Sequence, residues 1–132
     1  MILLDVQDER LGIVDTVPVG LIPEGLDISP DGDWMVVNCL DNSYWAPDQL
    51  GHRDAGMLVL LQKQNGVFVT VDVARVGRNP QAVSFTPDSK FVAVGSNSDH
   101  EITFFKLEDN ELKPTGVKVP CPGGPAALRI SK

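Results

Sequence analysis

Apolar residues in this chain fall in short runs broken by Gly, Pro, Asn and Asp. Val, Ile, Leu, Phe and Thr dominate the runs, which is the composition of strands. No stretch holds a helical period for long enough to form a helix. The pattern predicts strands over Ile2–Gln7, Leu11–Val19, Gln81–Thr86, Phe91–Ser96, Glu101–Leu107, Leu112–Val119 and Pro125–Ser131. Runs such as "WMVV" (Trp34–Val37) and "FVAV" (Phe91–Val94) show little alternation, so both of their faces are expected to be buried.

The runs repeat. "GLIPEGLDISPDGDWMVVNCLDNS" (Gly20–Ser43) aligns without gaps on "GRNPQAVSFTPDSKFVAVGSNSDH" (Gly77–His100), 57 positions on. Gly20 falls on Gly77, Pro23 on Pro80, Pro30 on Pro87, Asp31 on Asp88 and Trp34 on Phe91. The same offset carries "ILLDVQDERLGIVDTVPVG" (Ile2–Gly20) onto "VLLQKQNGVFVTVDVARVG" (Val59–Gly77). The next copy is shorter: Pro125 of "GGPAALRISK" falls on Pro80, 45 positions on. The 12-residue difference is "YWAPDQLGHRDA", Tyr44–Ala55, and its removal brings Gly56–Gln64 onto Glu101–Asp109. Pro-Asp-Gly and Pro-Asp-Ser supply turn geometry, and "QNGVF" and "EDNEL" read as hairpin turns.

A repeat of about 40–45 residues with four strands is the mark of a β-propeller blade. A β-sandwich competes as an all-β architecture but does not require a gapless internal repeat. The expected fold is therefore all-β, a partial propeller of four-stranded antiparallel blades. Residues 1–20 form the second half of a blade, 21–76 a full blade with the insertion 44–55, 77–121 a second full blade, and 122–132 the first strand of another. Such a unit leaves apolar faces and strand edges open.

Composition narrows the partners. Apolar residues make up 42% of the 132, enough for one folded domain. The net charge of -7 argues against nucleic acid or an anionic membrane surface as the main partner. No apolar run is long enough for a transmembrane helix, and "MILLDVQDER" lacks the features of a signal peptide. A soluble protein is expected, cytoplasmic if Met1 is the native start and periplasmic or secreted if the chain is a piece of a longer one. Cys39 and Cys121 read as free thiols, and no Cys/His spacing suits zinc.

The units "VGLIPEGLDISPDGDWMVV" and "VGRNPQAVSFTPDSKFVAV" resemble the repeats of YVTN-type and lactonase-like propellers, a group that includes bacterial 6-phosphogluconolactonases. The resemblance covers nearly the whole chain and rests on structural positions, so it is specific for fold and weak for function. The "YV-x-N" portion is loosely kept, as Val36-Val37-Asn38 and Val94-Gly95-Ser96. The resemblance implies seven blades, of which this chain holds about two and a half.

Chemistry is expected at the loop end opposite the Pro-Asp turns. The insertion joins strands two and three of its blade, which places it near Leu21–Glu24 and Arg78–Gln81. It gathers Tyr44, Trp45, Asp48, His52, Arg53 and Asp54; with Asn79 and Gln81 these are the candidate ligand-binding residues. His52 is a candidate general base, and Glu24 and Arg78, with Arg129 behind them, are the charged residues a lactone hydrolase would use at the channel. The competing reading is a capping loop with Trp45 packed down and His52-Arg53-Asp54 solvated. Asp41, Asp48, Asp54 and Asp99 lack any EF-hand spacing and read as solvated carboxylates, so no metal is assigned, and His100 reads as a loop residue. No nucleophile elbow, zinc-protease or phosphate-loop motif is present.

The leading functional expectation is a ligand- or partner-binding propeller module without catalysis or cofactor. Its partner would be a sugar or other small molecule, a second copy in a homo-oligomer, or the remainder of a longer propeller. The alternatives are a sugar-lactone hydrolase, which the resemblance implies, and a redox-partner propeller like the heavy subunits of amine dehydrogenases, for which no haem or quinone motif is present.

Overall fold

The computed structural model describes residues 1–7 and 10–131. Among the described residues there are ten strands, in chain order: β1 Ile2–Gln7, β2 Arg10–Thr16, β3 Pro23–Ile28, β4 Trp34–Cys39, β5 Gly56–Gln64, β6 Val67–Val76, β7 Pro80–Phe85, β8 Phe91–Ser96, β9 Glu101–Glu108 and β10 Glu111–Pro120. They form three antiparallel sheets, β1-β2, β3-β4-β5-β6 and β7-β8-β9-β10, arranged as a half blade and two full blades. No helix occurs among the described residues, so none is long and apolar enough to cross a membrane.

The Pro-Asp turns owe their shape to side chains. Ser29 Oγ accepts a bond from Trp34 N at 2.9 Å and donates to Asp31 Oδ1 at 2.5 Å, and Asp31 Oδ1 also accepts from Asp33 N. Thr86, Asp88, Lys90 and Phe91 repeat the arrangement, with 3.0 Å from Phe91 N to Thr86 Oγ1 and 2.6 Å from Thr86 Oγ1 to Asp88 Oδ1. A hydroxyl and a carboxylate thus satisfy donors that the tight turn cannot pair with backbone. These bonds hold both carboxyls below their ordinary value, Asp31 through Ser29 and Asp88 through Thr86.

The lack of alternation in the apolar runs has the expected cause. Val36, Leu58 and Leu60 of the first full blade pack against Val83, Phe85, Val92, Val94, Phe105 and Leu112 of the second. Met35, Val37, Cys39, Val59 and Leu61 point the other way, against Met1, Leu3 and Val17 of the half blade. Successive residues of β4 and β5 therefore enter different cores, as the two-residue strand period dictates. Gly77 is needed at a close approach: a Cβ there would run into Ser96 and Asp99. Gly20 stands in the same relation to Cys39, 57 positions earlier.

The structure corrects four details. Val37 pairs with Val59 and Val94 with Thr103, separations of 22 and 9 residues, so the insertion counted by register is 13 residues. Glu101 is thus the counterpart of Met57 and not of Gly56; a one-residue slip would exchange the two faces of the strand. Trp34 and Phe91 are equivalent but half-buried, because each opens its strand at the rim of the interface. The second strand ends at Thr16, short of Val19. Pro125–Ser131 forms no strand, because no neighbouring strand offers it a ladder, although Pro125 lies against Gly95.

Candidate functional site

Pro23 pairs with Cys39 and Pro80 with Ser96, so the start of each inner strand lies beside the end of its second strand. This brings loop 17–22, the insertion, loop 77–79 and loop 97–100 to one end, opposite the Pro-Asp turns. The same backbone bond recurs there in both blades: Leu40 N donates to Ile22 O at 2.9 Å, and Asn97 N to Asn79 O at 3.0 Å. Ile22 and Asn79 both adopt positive φ, 56° and 53°.

The insertion is a folded loop with its own bonds. Gln49 N donates to Ala46 O, Gln49 Oε1 accepts from Ala46 N, and His52 N donates to Gln49 O. His52 is inside this knot, its side chain 10% exposed. Its Nδ1 lies 2.9 Å from Trp45 O, and its Nε2 lies 3.2 Å from Asp54 Oδ1. Asn42 Nδ2 reaches Gly51 O, and Gly51 needs its positive φ of 94° where the chain passes over Trp45. Tyr44 meets Trp45 edge-on, with ring centroids 6.2 Å apart and planes at 80°. Tyr44, Asp48, Arg53 and Asp54 are exposed, and Trp45 is partly covered.

Ser43 joins this loop to the next blade. It is buried, accepts from Asn79 N at 2.9 Å and donates to Leu40 O at 2.5 Å. Arg78 is held by Asp99, which accepts from its backbone N at 2.6 Å and its Nε at 2.7 Å. The structure therefore brings Tyr44, Trp45, Arg78 and Asn79 to one rim through Ser43. Glu24 lies exposed at the start of β3, and Gln81 is on β7 with its carbonyl close to Gly25.

The inner strands line a shallow cleft of about 190 Å³ between Gly25–Asp27, Gln81–Ser84 and Ala126–Arg129. A larger one of about 600 Å³ opens toward the Pro-Asp turns, with Ile28, Pro30, Phe85, Pro87 and Arg129 in its walls. Gln81 lines the smaller cleft and Arg129 lines both. Glu24, Arg78, Asn79 and the insertion line neither cleft.

Among the described residues no three His, Cys, Asp or Glu side chains gather where a metal could sit. Asp41 is near Arg53 at 4.0 Å, Asp54 is with His52, and Asp99 is with Arg78. His100 is in the β8–β9 loop, where its carbonyl accepts from Cys121 N. Burial, and after it the charge of Asp41, pushes the Cys39 thiol up to about 11, so it stays protonated and unreactive.

Against this geometry, no family model and none of the curated proteins matches the chain. Solved structures do. A candidate 6-phosphogluconolactonase from Bacteroides fragilis superposes with a TM-score of 0.79 at 17% identity, over 99% of this chain and 35% of that one. A second, from Bacteroides uniformis, gives 0.75 at 15% identity, over 93% and 35%. Hydrazine synthase from Kuenenia stuttgartiensis gives 0.58 at 15% identity, over 89% and 41%. The fold is that of the lactonase-like propellers. The chain spans about a third of the length of the two lactonase-like structures.

Several residues of this site had no signal in motif reading. Ser43 sits at the end of an apolar run like many loop serines. Asp27 is the clearest case: its Oδ2 accepts from Phe85 N at 2.8 Å and from Ser84 Oγ at 3.2 Å, which ties the two inner strands. The available signal was an acidic residue inside "LDI" at the position where the next repeat has Ser84.

Proposed function

We propose that this chain is a ligand-binding propeller segment that performs no catalysis of its own. The observation that carries this reading is the state of His52. Its two ring nitrogens face the insertion's own acceptors, Trp45 O and Asp54 Oδ1, so the candidate base is turned into the loop and not toward a substrate. Arg78 is likewise held by Asp99. What the loop leaves exposed is Tyr44 with the Trp45 edge, flanked by Asp48, Arg53 and Asp54, and across Ser43 by Asn79, while Gln81 lies apart in the inner-strand cleft. An aromatic ring bordered by hydrogen-bonding groups suits a sugar or another polyhydroxylated small molecule.

Sugar-lactone hydrolysis is the second reading, favoured by the superposition on two candidate 6-phosphogluconolactonases. It would use Glu24, Arg78 and Arg129. The two readings separate in one experiment. Lactone hydrolysis and sugar binding by calorimetry are measured on the chain, on Tyr44→Ala, and on Glu24→Gln and Arg78→Met. Binding that is lost in Tyr44→Ala without any hydrolysis supports the binding module. Hydrolysis that disappears in both Glu24→Gln and Arg78→Met overturns it.

A further inference from the structure

We propose that the insertion is closed by a proton-operated clasp: His52 bridges Trp45 and Asp54 as a doubly protonated imidazolium and lets go of Asp54 when the ring loses one proton. The geometry at the ring carries this. The His52 side chain is 10% exposed, with Nδ1 2.9 Å from Trp45 O and Nε2 3.2 Å from Asp54 Oδ1. A carbonyl oxygen and an ionised carboxylate can only accept. A neutral imidazole has one N–H, so it satisfies one of these oxygens and turns a lone pair toward the other. The ring with both protons donates to both.

The two anchors are unequal. The Trp45 bond is the shorter and the more covered, whereas the Asp54 side chain is 94% exposed. The proton that leaves is therefore the one on Nε2, where the carboxylate can turn to water instead. The bare Nε2 then faces Asp54 Oδ1, lone pair against negative charge, and Asp54 swings into solvent. Asp54 stands two residues before β5 begins at Gly56, so its release loosens the return of the loop to the sheet. Trp45 stays anchored, while the Arg53–Asp54 flank of the aromatic edge comes free. Asp54 is the carboxylate that faces the ring. The other charged groups at this end are turned elsewhere: Arg53 to Asp41 at 4.0 Å, Arg78 of the next blade to Asp99, and Asp48 of the same loop to solvent. Closure is thus complete on the acid side of the imidazole range, near about pH 5, and weakens toward about pH 8, where carboxylates stay ionised throughout. The clasp is a property of the loop and does not depend on the ligand reading.

The test is amide hydrogen exchange followed by NMR on the full chain between about pH 5 and 8, expressed as protection relative to the intrinsic rate at each pH. Two amides inside the loop report its closure: His52 N, which donates to Gln49 O at 3.0 Å, and Gln49 N, which donates to Ala46 O at 2.9 Å. Their protection should fall about two- to fivefold as pH rises across this range, the size of one exposed ion pair. Asp54→Ala leaves Nε2 with nothing to hold and should abolish the fall; the residue is exposed, and circular dichroism checks that the variant stays folded. His100→Gln removes the chain's other histidine, in the β8–β9 loop, and should keep the fall. Protection that stays level in the wild-type chain, a fall that persists in Asp54→Ala, or one that vanishes in His100→Gln would each overturn the proposal.

Discussion

Asp27→Ala is the sharpest perturbation of the contact between blades. Asp27 stands on β3 and accepts from the backbone N of Phe85 at 2.8 Å and from Ser84 Oγ at 3.2 Å, both on β7. Phe85 is 3% exposed, and Asp27 is the partner of its N–H, which Asp27→Ala leaves without that acceptor. Losing a bond to a charged acceptor and leaving a buried donor unpaired costs about 1.5–3 kcal/mol. Asp27→Asn keeps an acceptor oxygen and should cost about 1 kcal/mol or less, and Ser84→Ala, which leaves the Phe85 bond intact, about 0.5–1.5 kcal/mol. Urea unfolding supplies the values, with an unchanged m confirming that only stability moved. Hydrogen exchange at the Phe85 amide reports the bond directly. A loss below about 0.5 kcal/mol in Asp27→Ala, with that amide still protected, would refute the role of this carboxylate.

Three further outcomes follow from other parts of the molecule. Trp34→Ala and Phe91→Ala should each cost about 1.5–2.5 kcal/mol in urea unfolding, roughly half the value for a fully buried aromatic, because both rings are half-buried. Asp31 and Asp88 have lowered folded pKa values, so the stability they contribute is present above the unfolded carboxylate value and is lost as pH falls through the lower folded one; the deficit of Ser29→Ala and Thr86→Ala relative to wild type should shrink between neutral pH and about pH 3 in matched urea titrations. Deletion of the 13 residues Tyr44–Gly56 should leave Leu40–Ser43 as a four-residue link like Asn97–His100 and preserve cooperative unfolding, with about 1 kcal/mol of closure entropy in its favour; loss of the cooperative transition would show that the insertion belongs to the core.

Much of the fold was legible in the residues because strand chemistry is local. Val, Ile and Phe runs, the Pro-Asp turns and the spacing of 57 between copies were enough for the blades and for the boundaries of β1, β7, β8 and β9 to within about a residue, the usual precision of strand ends. "WMVV" and "FVAV" even announced burial on both faces, since a chain pays for such runs only between two layers. The location of the insertion followed from the same arithmetic.

Tertiary structure decided the rest, for reasons the linear pattern does not contain. Strand three of the two blades was aligned one residue out, because only pairing with strand two fixes which apolar side chains share a face. His52 reads as a free base in the sequence and becomes a loop-folding residue once its ring meets Trp45 O and Asp54, partners set by how the loop closes. Pro125–Ser131 has the composition of a strand and no ladder, because a strand exists only through its neighbour. Ser43, Asp27 and Asp99 took their roles from long-range approach, across 36, 58 and 21 residues, which composition and spacing cannot encode. The sequence by itself determined which segments are strands and how often they recur; the packing of blade on blade determined which polar groups they hold together.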